Sequence, residues 1–91
     1  MERKRNKLEV IYDILKVINE KSGKIKPTHI LYKSNLSYVM MKDYLMELME
    51  KGFIKEQNSD GRKSYVITKK GAEYLLKFNM IKNFTDSFGL S

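Results

Sequence analysis

The sequence predicts an α+β domain that is mostly helical: three helices, a two-stranded hairpin and a last helix. Three observations carry that expectation. Apolar residues recur at helical spacing from Leu8 to Ile18 and again at Met41, Leu45 and Leu48. The turn signal Asn58-Ser59-Asp60-Gly61 separates two short segments that alternate as strands do. Finally, 91 residues without an internal repeat or low-complexity linker suffice for one modest core and not for two.

Apolar positions 8, 11, 12, 14, 15 and 18 predict a first helix from about Arg5 to Lys21. Ser22-Gly23 should end it, with Gly23 taking the left-handed C-terminal position. Ile25 is expected in a short strand or extended bridge. Pro27 opens a second helix of about two turns, where its missing N–H costs nothing. Ser34-Asn35 breaks the pattern, and Leu36 plugs the core from the turn. Ser37 is a good N-cap for the third helix, although Met40 rather than Glu stands three residues on, so no capping box forms. Along this helix Met41, Leu45 and Leu48 mark the core face, Glu47 and Lys51 form an i,i+4 pair, and Gly52 ends the run. Phe53 to Gln57 reads as an edge strand and Ser64 to Ile67 as its return. Thr68 caps a last helix expected to reach about Phe84. The expected core is Ile11, Ile14, Leu15, Ile30, Leu36, Met41, Leu45 and Leu48, with the hairpin closing one side.

This order, α-α-α-β-β-α, is that of a winged helix-turn-helix with a C-terminal helix. Residues 1–68 form the winged unit and 69–91 the helix, a candidate dimerisation element within a single domain. Such a fold presents its third helix to the DNA major groove and a basic hairpin to neighbouring phosphates.

Charge points the same way. The net charge is +7. Residues 1–26 hold eight Lys or Arg against four acids, and residues 53–70 hold five against two, whereas 27–52 and 71–91 each balance. A surplus confined to the N-terminal segment and the hairpin suggests a directed footprint for a polyanion. A lysine-rich surface serving only solubility is the blander alternative.

Other functions lose ground on composition. Without cysteine there are no disulfides, no thiolate chemistry and no cysteine-ligated zinc. His29 stands alone, so no metal site is expected. No paired carboxylates, Ser-His-Asp arrangement or phosphate-cradling glycine loop can be discerned, so no enzyme, cofactor or small-molecule substrate is expected. No apolar run approaches the roughly 20 residues that span a bilayer, and the acids at Glu9 and Asp13 break any signal-peptide core. A cytoplasmic, nucleoid-associated protein with no membrane partner is the expectation.

Four stretches resemble a known family: Leu-Glu-Val-Ile-Tyr-Asp-Ile-Leu (8–15), Thr-His-Ile-Leu-Tyr-Lys-Ser-Asn-Leu-Ser-Tyr (28–38), Tyr-Leu-Met-Glu-Leu-Met-Glu-Lys-Gly-Phe-Ile (44–54) and Tyr-Val-Ile-Thr-Lys-Lys-Gly (65–71). They are similar to small basic archaeal winged-helix proteins, which are described as chromatin-associated or as transcription regulators. The resemblance covers roughly residues 8–78 and implies double-stranded DNA binding by a homodimer. Members often end in a long helix that forms an antiparallel coiled coil with its twin. This chain departs there, since Phe84-Thr85-Asp86-Ser87-Phe88-Gly89 is a poor continuous heptad.

Candidate site residues follow from these elements. On the recognition helix they are Ser37, Tyr38, Val39 and Lys42; on the wing, Lys55, Arg62 and Lys63. Arg3, Lys4, Arg5 and Lys7 could add phosphate contacts as a flexible N-terminal arm or as the first helical turn, or could simply be solvated. No Arg, Asn or Gln occurs between Ser37 and Lys51, so the side chains best suited to bidentate base reading are missing. Leu75, Leu76, Phe78 and Met80 are the candidate dimer interface, because with Ile81 and Phe84 they exceed what a small core covers. The rival arrangement folds this helix back on its own domain. A winged-helix module for protein partners is the alternative function, and RNA binding a weaker one, for want of a base-stacking strand motif.

Overall fold

Local capping chemistry sets where each element starts. The structure, a computed structural model, describes residues 5–21 and 25–90. Helix α1 (Lys7–Glu20) starts at Asn6, whose side chain accepts the Glu9 N–H at 2.8 Å while the Glu9 carboxylate accepts the Asn6 N–H at 3.3 Å. This reciprocal capping box, missed in the sequence, satisfies two donors that the first turn leaves open and starts α1 two residues later than expected. The expected stop at Ser22-Gly23 lies outside the described residues. Helix α2 (Pro27–Ser34) opens on Pro27 and ends at Asn35, left-handed at φ 52°, a conformation that Asn tolerates. Helix α3 (Tyr38–Glu50) is capped by Ser37, whose hydroxyl accepts the Met40 N–H at 3.2 Å.

Strands β1 (Ile54–Ser59) and β2 (Arg62–Ile67) pair antiparallel, with Ile54 opposite Ile67 and Ser59 opposite Arg62. Only Asp60 and Gly61 form the turn, both at positive φ (52° and 75°). Two such residues match the twist of the flanking strands, so pairing extends to Asn58 and Ser59, which the sequence pattern had placed in the turn. Ile25 adds a single antiparallel bridge to Tyr65. Helix α4 (Lys69–Ser87) is capped by Thr68, whose hydroxyl accepts the Gly71 N–H at 3.2 Å. It outruns the expected Phe84 because no breaker intervenes before Gly89.

All eight expected core residues are buried, and Val10, Ile18, Ile25, Ile54 and Tyr65 join them. Ile54 and Tyr65 make the hairpin root part of the core, and Ile25 bridges to it at Tyr65. Each fully buried Ile or Leu contributes about 1.5–3 kcal/mol, so the root is anchored while the tip projects into solvent. Helix α4 folds its first half onto α1: Tyr74 donates to the Leu8 carbonyl at 2.8 Å, the Tyr12 and Phe78 rings stack at 4.4 Å, and Tyr12 donates to Asn79 Oδ1 at 2.9 Å. Among the described residues no helix is long and apolar enough to cross a membrane.

Candidate nucleic-acid interface

The turn Asn35–Ser37 joins α2 to α3 and leaves the first turns of α3 open to solvent. Met41, Leu45 and Leu48 turn inward, while Tyr38 and Val39 are 64% and 66% exposed. Lys42 is exposed one turn further on, and Met46 extends the same outer face at 56% exposure. The i,i+3,i+4,i+7 spacing from Val39 could have revealed Met46. Because Ser37 spends an acceptor lone pair on the Met40 N–H, its O–H remains a donor at the head of the helix.

The hairpin root packs into the same core as that helix: Ile54 and Tyr65 are buried in one cluster with Met41, Leu45 and Leu48. Burial, then the Glu56 charge, then the neighbouring Tyr38 push the Tyr65 phenol above its ordinary range. Further out, the pleat and register set Lys55 and Arg62 on one face of the hairpin and Lys63 on the other. Lys42, Lys55, Arg62 and Lys63 are all exposed. Among the described residues, none of the four takes part in an ion pair or side-chain hydrogen bond.

The basic N-terminal cluster behaves otherwise. Arg3 and Lys4 lie outside the described residues. Arg5 Nη1 donates to Asp13 Oδ2 at 2.5 Å, and its Nη2 donates to the carbonyls of Ser34 at 2.6 Å and Asn35 at 3.3 Å. Lys7 pairs with Glu47 at 2.9 Å, with Lys51 on the far side of that carboxylate at 3.8 Å. The Lys7 hydrogen bond, more than the Lys51 charge, holds the Glu47 carboxyl below its ordinary range. The two described cations of that cluster, Arg5 and Lys7, therefore already face carboxylates of their own chain, which the linear sequence could not show.

The expected dimer residues divide. Leu75 and Phe78 are half-buried and turned to their own domain, Leu75 against the core and Phe78 on Tyr12 and Tyr74. Leu76 and Met80 point outward, in line with Ile81, Phe84 and Phe88, all 61–66% exposed. Helical periodicity separates these two faces, and 74, 75 and 78 share the inner one. Beside the outer strip, the N-terminal half of α1 and the end of α4 border a half-open trough of about 370 Å³.

His29 is exposed. Among the described residues no group of three His, Cys, Asp or Glu could hold a metal.

Comparison with known proteins agrees with this geometry. A family profile described as winged helix-turn-helix matches residues 4–86. Uncharacterized protein MJ0290 of Methanocaldococcus jannaschii is 33% identical over 78 residues, covering 86% of this chain and 34% of that protein. The chain thus spans about a third of the length of that relative. Among solved structures, Sso10a-2, a DNA-binding protein from Sulfolobus solfataricus, superposes with a TM-score of 0.78 at 26% identity, over 92% of this chain and 85% of its own. A mutant of MepR from S. aureus bound to an oligodeoxyribonucleotide gives 0.75 at 14% identity, over 87% and 60%; at that identity the likeness is one of fold alone.

Proposed function

Since the chain belongs to the winged helix-turn-helix family, we propose that it binds double-stranded DNA, largely through phosphates, as a transcription regulator or chromatin-associated protein. The fold of that family and its likeness to Sso10a-2, a DNA-binding protein, favour DNA binding over catalysis. One observation carries the reading. The exposed head of α3 and the projecting hairpin carry four cations with no partner among the described residues, whereas Arg5 and Lys7 are paired with acids. Cations left without carboxylate partners can neutralise phosphates and release counterions.

The roles follow from chemistry and placement. The Ser37 O–H and the N-terminal pole of α3 suit a phosphate oxygen. Tyr38 can donate to a phosphate or stack, Val39 can meet a thymine methyl, and Lys42 can reach a phosphate or a guanine edge. On the wing, Lys55 and Arg62 share one face and Lys63 takes the other, so the hairpin can straddle a backbone ridge. With no Arg, Asn or Gln on α3, sequence preference is weak. That absence favours an architectural role, set against the regulatory employment usual for the fold.

The partner at α4 is a second copy of the chain. Leu76, Met80, Ile81 and Phe84 form an exposed apolar strip on a helix of 19 residues, with Phe88 continuing it at the C-cap; the helix is about 28 Å long at 1.5 Å per residue. Two such strips laid together would cover what one domain leaves open. The place of action is the cytoplasm, on the nucleoid.

The test is fluorescence anisotropy on a random-sequence duplex, titrated from about 50 to 200 mM salt, with an RNA duplex as competitor. A fall in affinity of about 10³-fold or more across that range is expected if several phosphates are neutralised. Little binding at the lowest salt would hand the scaffold to a protein partner instead.

A further inference from the structure

Arg5 sits where a helix end needs a cation. The last carbonyls of α2 have no donors within the helix, and the negative pole of the helix dipole adds to their demand for positive charge. Asn35 and Leu36 both direct their N–H groups to the Leu31 carbonyl, so neither amide serves the carbonyls of Ser34 and Asn35. Arg5 meets both with one nitrogen and grips Asp13 of α1 with the other. The planar guanidinium spreads its donors over separate nitrogens and so spans the carboxylate on one side and the two carbonyls on the other; an ammonium has three donors, but all on one nitrogen that cannot bridge the two sides in the same fixed fork. The neighbouring Ser34 Oγ is buried with no partner among the described residues, so the Ser34 side chain contributes no polar tie of its own at this end.

From these contacts we propose that Arg5, braced by Asp13, is a positioning residue that sets the angle of α3 on the domain and so tunes DNA affinity without touching DNA. This rests on the DNA reading above. Asn35, Leu36 and Ser37 alone separate α2 from α3, and the brace holds the first of them. Lys42 lies five residues past the Ser37 cap, about 7.5 Å along the axis. A tilt of roughly 10° at the turn would therefore move it by about 1 Å, enough to change how it meets a phosphate.

The proposal and the simple basic-arm view differ in the sign of one effect. If Arg5 were a phosphate contact restrained by Asp13, Asp13→Asn would free it, remove a negative charge and tighten binding. As a brace, Asp13→Asn weakens binding although the protein becomes more positive.

Duplex affinity and its salt slope should be measured for the natural chain, Arg5→Ala, Arg5→Lys and Asp13→Asn, each checked for folding by circular dichroism. Hydrogen exchange at the Asn35 and Leu36 amides should be followed without DNA. We expect Arg5→Ala and Asp13→Asn each to weaken binding by about 3- to 30-fold, with the slope unchanged, no rescue by Arg5→Lys, and faster exchange at both amides. Tighter binding by Asp13→Asn, or a slope lowered by about one unit in Arg5→Ala, would overturn the proposal in favour of a phosphate contact. Wild-type affinity in folded variants would overturn it too. Should Arg5→Ala not fold, the near-isosteric Asp13→Asn decides alone by its sign. If the natural chain binds no DNA, the DNA reading fails first. The brace is then judged by exchange, and unchanged protection at Asn35 and Leu36 overturns it.

Discussion

A β-carbon built on Gly71 would lie 2.4 Å from the Phe53 carbonyl oxygen and 2.6 Å from Ile67 Cγ1. Gly71 is the third residue of α4 and is buried, so the first turn of the helix rests directly on the hairpin root. Helix propensity alone favours Gly71→Ala by about 1 kcal/mol. The contact opposes it. The Phe53 oxygen is backbone and cannot swing aside, because it already accepts the Thr68 N–H at 3.0 Å and shares the Thr68 hydroxyl, also at 3.0 Å, with the Gly52 carbonyl at 2.7 Å. Relief means backing α4 away by about 1 Å, to the 3.4 Å at which ordinary contact begins. Such overpacking costs about 1–3 kcal/mol, and stretching two hydrogen bonds worth about 1 kcal/mol each adds to it. After the propensity gain, Gly71→Ala should destabilise by about 1–4 kcal/mol. At about 4–8 °C per kcal/mol for a domain of this size, the loss is easily read by thermal or urea unfolding at one fixed protein concentration, since dimerisation would couple to stability. A Gly71→Ala protein as stable as the natural one, or more so, would refute the close approach and leave propensity as the deciding effect.

Arg62→Ala combined with Lys63→Ala should weaken binding to all duplexes alike and lower the salt slope by roughly one to two units in an anisotropy titration; an unchanged slope removes the wing from the interface. Leu76→Glu or Phe84→Glu should give monomers in sedimentation, whereas Phe78→Ala should chiefly lower stability, since Phe78 stacks on Tyr12. A dimer that survives charge in the strip lies elsewhere. Ser37→Ala should cost about 1 kcal/mol of urea stability through the lost cap, and no change would mean the first turn of α3 is held by packing alone. Burial raises the phenol pKa of Tyr65 and of Tyr74. Each raised value means that the stability from keeping the neutral phenol is fully present below the unfolded pKa of about 10 and is lost as pH rises through the folded value. Tyr65→Phe should therefore shift alkaline unfolding to higher pH, and an unmoved transition would place its cause in another group.

Much of the fold was legible because its determinants are local. Pro27, Ser37 and Thr68 act within one helical turn, and Asp60-Gly61 makes a turn that needs no distant partner. Helical periodicity likewise marks the core faces of α1 and α3 from spacing alone. Where the local reading slipped, it slipped at boundaries. Asn58 and Ser59 look like turn residues until Lys63 and Arg62 pair with them across the hairpin. The Asn6-to-Glu9 capping box was as local as the Ser37 cap, and its signal, Asn three residues before Glu, was open to a closer reading.

By itself, then, the sequence determined the order and nature of the elements, the candidate recognition residues and the basic hairpin. Each of these depends on spacing of a few residues or on the sum of charge. Tertiary structure alone decided which cations are available and which apolar face is covered. Arg5 meets Ser34 across 29 residues, Lys7 meets Glu47 across 40, and Tyr74 reaches Leu8 across 66. These pairings, and the burial of Leu75 and Phe78 beside the exposure of Leu76 and Met80, depend on how helices cross. No local spacing encodes a crossing angle, because it is set by the packing of several surfaces at once.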